Sequence, residues 1–375
     1  MRPFLPFARP TLDEGTIADV AQVLRSGWIT NGPKVVELEA ALSRQLAGRP
    51  VRMVNHATAG LQIALEACGI GPGDEVILPA MTFVATANVI MRVGARPVFV
   101  DVDLDTRNID LDQVEAAIGP RTRAIMPVHF AGLPVDMDRL NALAQRRELR
   151  VIEDAAHAIG SRLGERAIGS FGDLVCFSFH ANKNITTIEG GAIVGGSPQE
   201  VAAIERLRFH GLLKRSADEF EVEAASGKAN LPDVNAAIGL AQLPRLPEFN
   251  DKRRRLVARY FACFRDQPLL RLPARGDEGH SWHIFAPLLP VGAHTVSRLA
   301  FIDAMATRGV GVGVHYPAVH LFAAYRALGY REGQFPNAER IGAETVTLPL
   351  FPQMTFEDVD RVFEATLDAL AEVHS

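Results

Sequence analysis

Seven short runs with apolar centres, set between stretches with helical spacing, constrain this chain more than any other feature. They are Val51 to Val54, Glu75 to Leu78, Pro97 to Val100, Ala124 to Pro127, Arg150 to Glu153, Leu174 to Phe179 and Ala192 to Val194. Between them lie helical patterns such as Thr58 to Cys68, closed by Gly69. Another is Leu111 to Ile118, opened by Asp110 with Gln113 placed for a capping box. A strand wetted on one face alternates apolar and polar residues, whereas one apolar throughout is covered on both faces. The pattern therefore predicts an α/β fold with a mostly parallel central sheet sandwiched by helices. Sheets of this kind bind ligands at the carboxyl ends of their strands, so the chemistry is sought there.

Past about residue 270 the alternation breaks into strand-like pieces (His283 to Leu289) and helices (Ser297 to Arg308 and Phe356 to Glu372). This predicts a smaller α+β C-terminal domain over 251–375, after a large domain with an N-terminal arm over 1–250. Val234 to Leu246 and Lys252 to Phe264 read as helices, and the charged, small-residue stretch 212–229 reads as a mobile loop. At 375 residues and 48% hydrophobic there is ample material for a core. A net charge of −5 argues against nucleic acid and acidic membrane as partners. The cluster Lys252-Arg253-Arg254-Arg255 is the exception, and reads as a solvated helix end or an oligomer contact. Cys68, Cys176 and Cys263 are too widely spaced for a metal site or a disulfide framework, and no metal is expected. The opening MRPFLPFARP is too broken by proline for a signal peptide, and no apolar run approaches a membrane span. The expectation is a cytoplasmic protein without membrane insertion.

Three features fall at predicted strand ends. Asn55-His56-Ala57-Thr58-Ala59-Gly60 joins a strand to a helix, where backbone N–H groups and a Thr hydroxyl can hold a phosphate; Thr58 serves equally as a plain helix cap. Asp154 follows an apolar strand and precedes small residues, either as a cap for the next turn or as the partner of a buried cation. The strand Leu174 to Phe179 delivers Ser178, His180 and then Lys183 to the same edge, before Gly190 and Gly191 turn the chain into the next strand. A lysine that loses hydration there favours its neutral, nucleophilic form, although a loop lysine at a surface needs no such role. Pyridoxal phosphate needs a lysine for its imine, an acid beside its ring nitrogen and a cradle for its phosphate. Taken together, the three features point to that cofactor.

The same residues carry a resemblance. In "SGWITNGPKVVELE", "GIGPGDEVILPAMTFVATANVI", "VIEDAAHAIGS", "SFHANKNITTIEGGAIV", "LPDVNAAIGLAQL" and "GVGVHYPAVH" the chain resembles the DegT/DnrJ/EryC1/StrS sugar aminotransferases, pyridoxal-phosphate enzymes of fold type I. Within them it looks most similar to the UDP-4-amino-4-deoxy-L-arabinose–oxoglutarate aminotransferases, on "NHATAGL", "SFHANKNIT" and "TLPLFPQMT". The resemblance implies that Lys183 forms the imine and that Asp154 pairs with the ring nitrogen. His157 would sit near the phenolic oxygen, and Phe83 would stack on the ring. Thr58, Ala59 and Ser178 would hold the phosphate, with Asn230 reaching it from the neighbouring subunit of a homodimer. The chain departs from the family's usual pattern at Ala229 and Asn31, near where the family binds the sugar or its partner subunit.

The activity implied by the resemblance is amino transfer from L-glutamate to a keto group of a nucleotide-linked sugar, with a UDP-4-keto sugar expected. His180, His315, Tyr316 and His320, with Trp28 and Thr30, are candidates for contacts to the sugar or nucleotide. Rivals are an aminotransferase acting on a cyclitol or other non-nucleotide ketone, and a cofactor-binding regulator without turnover. A dehydratase of the same family would carry histidine in place of Lys183. A nicotinamide dehydrogenase would need a GxGxxG after the first strand, which is missing.

Overall fold

The computed structural model describes residues 3–267, 270–290 and 297–374. Its centre is a sheet of seven strands: β1 (Val51–Val54), β2 (Glu75–Pro79), β3 (Arg96–Val100), β4 (Thr122–Ile125), β5 (Arg150–Asp154), β6 (Leu174–Ser178) and β7 (Gly191–Val194). They lie in the order β1-β7-β6-β5-β4-β2-β3, and only β7 runs antiparallel to its neighbours. Successive residues go to opposite faces. Val76 and Leu78 pack with the helices Ala57–Ala67 and Val84–Arg92, while Ile77 joins Leu140 and Leu143 of the helix Met137–Arg146. Both faces are covered, which is why these strands lack polar alternation.

Because β7 is antiparallel, its first residue lies at the same edge as the last residue of β6, with Ser178 opposite Gly191. That edge also receives Asp154 from the end of β5 and the start of the helix Ala57–Ala67 after β1. A Cβ on Gly191 would stand 2.6 Å from the Ala57 nitrogen, so a side chain there would push the helix start off the sheet. This close approach, more than turn geometry, is what the glycine permits.

The helix Leu246–Cys263 links two cores. Leu246 and Phe249 pack with Val35, Leu42 and Phe177 beside the sheet. Further along the helix, Leu256, Tyr260 and Phe261 pack with Phe285, Phe301 and Val362 of the C-terminal part. The basic cluster differs from expectation, since Arg253 is only 2% exposed. It donates to the carbonyls of Trp282, His283 and Leu350, so one of the four cations is a buried clasp. The stretch 212–229 is likewise not an unstructured loop throughout, for Leu212–Lys214 pairs with Phe220–Val222 as a hairpin. Among the described residues no helix is long and apolar enough to cross a membrane, and no cluster of His, Cys, Asp or Glu could hold a metal ion.

Candidate active site

At the carboxyl edge of the sheet opens a cavity of about 320 Å³. Its walls bring together residues far apart in sequence: Thr58, Phe83, Asp154, His157, Ser178, His180, Lys183, His315 and Tyr316. Asp154 enters from β5, and its neighbour Glu153 points to the other face, where it meets the His129 Nε2 at 2.9 Å. Asp154 is 5% exposed. Its Oδ2 accepts from the Thr86 hydroxyl at 2.7 Å and its Oδ1 from the Ala156 N–H at 3.1 Å. Thr86 has a single hydroxyl proton, and the carboxylate is a stronger acceptor than the nearby Phe83 carbonyl. The Thr82 hydroxyl, 2.8 Å away, then donates to Thr86 in turn. Burial pushes the Asp154 carboxyl above the usual carboxylate range, while Thr86, Ala156 and Lys183 pull it back.

Lys183 faces the cavity from the loop between β6 and β7, and its Nζ makes no hydrogen bond among the described residues. Loss of hydration pulls its amine down from 10.5 to about 8, with Asp154 opposing the shift. The other lysines stand at or near the surface, Lys34 paired with Glu37 and Lys252 with Glu248. An amine part neutral at ordinary pH, beside a buried carboxylate, suits imine chemistry.

His157 accepts the Ala131 N–H at Nδ1 (3.3 Å), so its own proton sits on Nε2, which donates to the Tyr316 hydroxyl at 3.1 Å. Both ring nitrogens are therefore engaged within the protein. Burial, then the charge of Lys183, holds this imidazole well below its ordinary pKa. His315 is held down to about 4 by the same two causes, and burial with Asp154 keeps the Tyr316 hydroxyl protonated. Phe83 is 54% exposed and presents its ring to the cavity, against a core-packing role.

The phosphate end differs from the expected detail. The helix begins at Ala57, and its cap is His56, whose Nδ1 accepts the Ala59 N–H at 2.9 Å. Thr58 is thus not the cap but the second helical residue, on the cavity wall, and the Ala59 N–H is already engaged. A histidine is a rare cap, and nothing in "NHATAG" separated it from the threonine.

Besides Ala59, which does not line the cavity, four expected residues lie away from it within the chain. His320 is sealed in the core, with its Nε2 on Glu339 at 3.0 Å and its ring edge-on to Phe335, so it braces the helix Pro336–Glu344 instead of lining a wall. Trp28 lies on a separate surface hollow with Lys34 and Asp233, its indole N–H on the Asn31 carbonyl. Thr30 is exposed, and its carbonyl accepts from the Asp233 N–H. Asn230 bridges to Val54 beside β1, with its Oδ1 covered and unpaired.

The residues fit pyridoxal phosphate: an amine without a partner, a buried acid beside it, an aromatic face, and hydroxyls at a helix start and a strand end. Comparison with known proteins decides the matter, because residues 10–367 match the DegT/DnrJ/EryC1/StrS aminotransferase family. The chain belongs to that family. Spr1654 of Streptococcus pneumoniae, assigned as a sugar aminotransferase and solved in its PLP form, is 34% identical, with a TM-score of 0.92 over 99% of each chain. The aminotransferase TlmJ from Streptoalloteichus hindustanus is 35% identical, with a TM-score of 0.91 over 99% of this chain and 100% of that one. PseC of Helicobacter pylori, an aminotransferase in pseudoaminic acid biosynthesis, is 28% identical, with a TM-score of 0.92 over 98% and 100%. The protein is a pyridoxal-phosphate-dependent aminotransferase of the sugar aminotransferase family, with the fold type I architecture.

Proposed function

We propose that this aminotransferase moves an amino group from L-glutamate to the keto group of a nucleotide-linked sugar, a UDP-4-keto sugar by preference, and works in the cytoplasm. The products are an amino sugar and 2-oxoglutarate. The observation that carries the reading is the meeting of Lys183 and Asp154 in one cavity, in a chain of this family. Pyridoxal phosphate, when bound, supplies the electron sink that lets a carbon–hydrogen bond next to nitrogen break. Lys183 would hold the cofactor covalently. Its Nζ, largely neutral above pH 8, then takes the proton from the donor α-carbon and returns it as an acid. Asp154, kept in hydrogen bonds by Thr86 and Ala156, would hold a proton at the ring nitrogen. Thr58 and Ser178 would hold the phosphate, and Phe83 would cover the ring. The fixed tautomer of His157 leaves the Tyr316 hydroxyl proton free to point into the cavity. His180, His315 and Tyr316 form the wall toward the sugar.

A homodimer completes the site in this proposal, with Asn230 reaching the partner's phosphate and Trp28 and Thr30 serving the neighbouring cavity. Support comes from exposed apolar side chains near these residues, among them Leu12, Ile17, Leu24, Ile29 and Val36. The boundary drawn at 250/251 between large and small domains passes through the helix that links the two cores. The test is a panel of UDP- and dTDP-linked 4-keto and 3-keto sugars, offered with L-glutamate and read by amine formation. Amination of a UDP-4-keto sugar supports the proposal. Acceptance of cyclitol ketones alone contradicts it, and binding of cofactor without turnover on any ketone supports the regulator.

A further inference from the structure

The tip of Lys183 has no hydrogen bond to aim it, so its direction must come from the backbone that carries it. One anchor is local, the Lys183 N–H on the His180 carbonyl at 2.9 Å. The stronger anchor is the next residue. Asn184 is 4% exposed, and its Nδ2 donates both protons, to the Asn250 Oδ1 at 2.8 Å and to the Ser281 carbonyl at 2.9 Å. Its Oδ1 accepts from the His283 Nδ1 at 3.1 Å. Turning the amide over would set its oxygen against two acceptors, so only one orientation satisfies the site. We propose that Asn184, held by His283, is the positioning residue that presents Lys183 for covalent attachment of the cofactor.

His283 is itself immobilised. Its N–H donates to the Ala131 carbonyl at 2.8 Å, and its own carbonyl accepts from Arg253 at 3.0 Å. The ring lies 4.3 Å from that of His157. Burial, His157 and Lys183 together hold the imidazole neutral, so the single ring proton stays on Nδ1 and points at Asn184. The clamp ties the lysine loop both to the helix Leu246–Cys263 and to the segment that follows residue 280. A lysine stem has four carbons, and fixing its root raises the effective concentration of the amine at the aldehyde.

The inference rests on Lys183 being the attachment residue. Attachment joins Nζ to the aldehyde carbon as C=N, and the aldehyde oxygen leaves as water. The experiment mixes full-length, cofactor-free protein with pyridoxal phosphate and follows the visible band of that link. A parallel titration uses pyridoxine phosphate, which has no aldehyde and binds without the lysine. In Asn184→Ala the link forms about 10- to 100-fold more slowly, while pyridoxine phosphate binds as in the wild type. His283→Leu behaves the same way. His283→Asn, which keeps a donor near the Nδ1 position, restores most of the rate. A link that forms at the wild-type rate in both Asn184→Ala and His283→Leu overturns the proposal. So does a loss of pyridoxine phosphate affinity in the same proportion, which marks a structural role alone. A band that persists in Lys183→Ala breaks the attachment assignment instead.

Discussion

Lys183 and Arg253 are both cations drawn away from water, one at the open edge of the sheet and one between the two cores. Burial lowers the pKa of both. Around Arg253 the chain supplies three carbonyls, and the guanidinium stays charged as a clasp between the helix Leu246–Cys263, the segment 282–283 and Leu350. Around Lys183 the chain supplies no acceptor at the tip, only a carboxylate in the same cavity. Burial alone therefore does not make a cation reactive. What distinguishes the two is whether the surroundings offer hydrogen-bond acceptors to the tip of the cation, even though the buried Arg253 Nε–H itself finds none.

The sharpest way to break this comparison is to remove each cation. Lys183→Ala is expected to lose transamination by about 10⁴-fold, and to lose the visible band of the bound cofactor, with a thermal midpoint no lower than the wild type. Asp154→Asn, which cannot hold a proton at the ring nitrogen through a negative charge, is expected to slow turnover on the order of 10²- to 10³-fold. Steady-state kinetics with saturating L-glutamate checks it, and unchanged turnover would remove Asp154 from the chemistry. Arg253→Met leaves three buried carbonyls unpaired and is expected to cost about 2–4 kcal/mol of stability. Denaturant melts should show this, with cofactor binding per folded molecule unchanged.

The pH dependence sharpens the same contrast. The folded pKa of Lys183, about 8, lies below the 10.5 of an exposed lysine. The unfolded chain thus binds more protons between these values, and stability rises with pH from about 8 to 10.5. In Lys183→Met that rise should shrink in melts taken across the window, most clearly between pH 8 and 9. The rate of cofactor attachment should climb with pH through about 8 and then level off. The smallest effect belongs to Thr86→Val, which removes one hydrogen bond from Asp154 and is expected to slow turnover about 3- to 10-fold.

The sheet was legible because strands covered on both faces leave continuous apolar runs, and Asp154 and Ser178 fall at the ends of two of them. Lys183 was legible from its company of small residues and glycines. The features that escaped the sequence depend on contacts across long separations. His283 lies 99 residues from the Asn184 amide it meets, and nothing in "SWHIF" marks it. Arg253 looks like its neighbours in a basic run, yet helical spacing turns it alone into the core while Lys252, Arg254 and Arg255 pair with acidic residues. The hairpin in 212–229 hides in a stretch whose charges mask its short pairing.

The most direct measurement of the central claim is to reduce the cofactor-loaded protein with borohydride, digest it and locate the added pyridoxyl group. The group is expected on Lys183, together with bleaching of the visible band by L-glutamate before reduction. A protein that stays colourless with pyridoxal phosphate, or carries the group on another lysine, would contradict it.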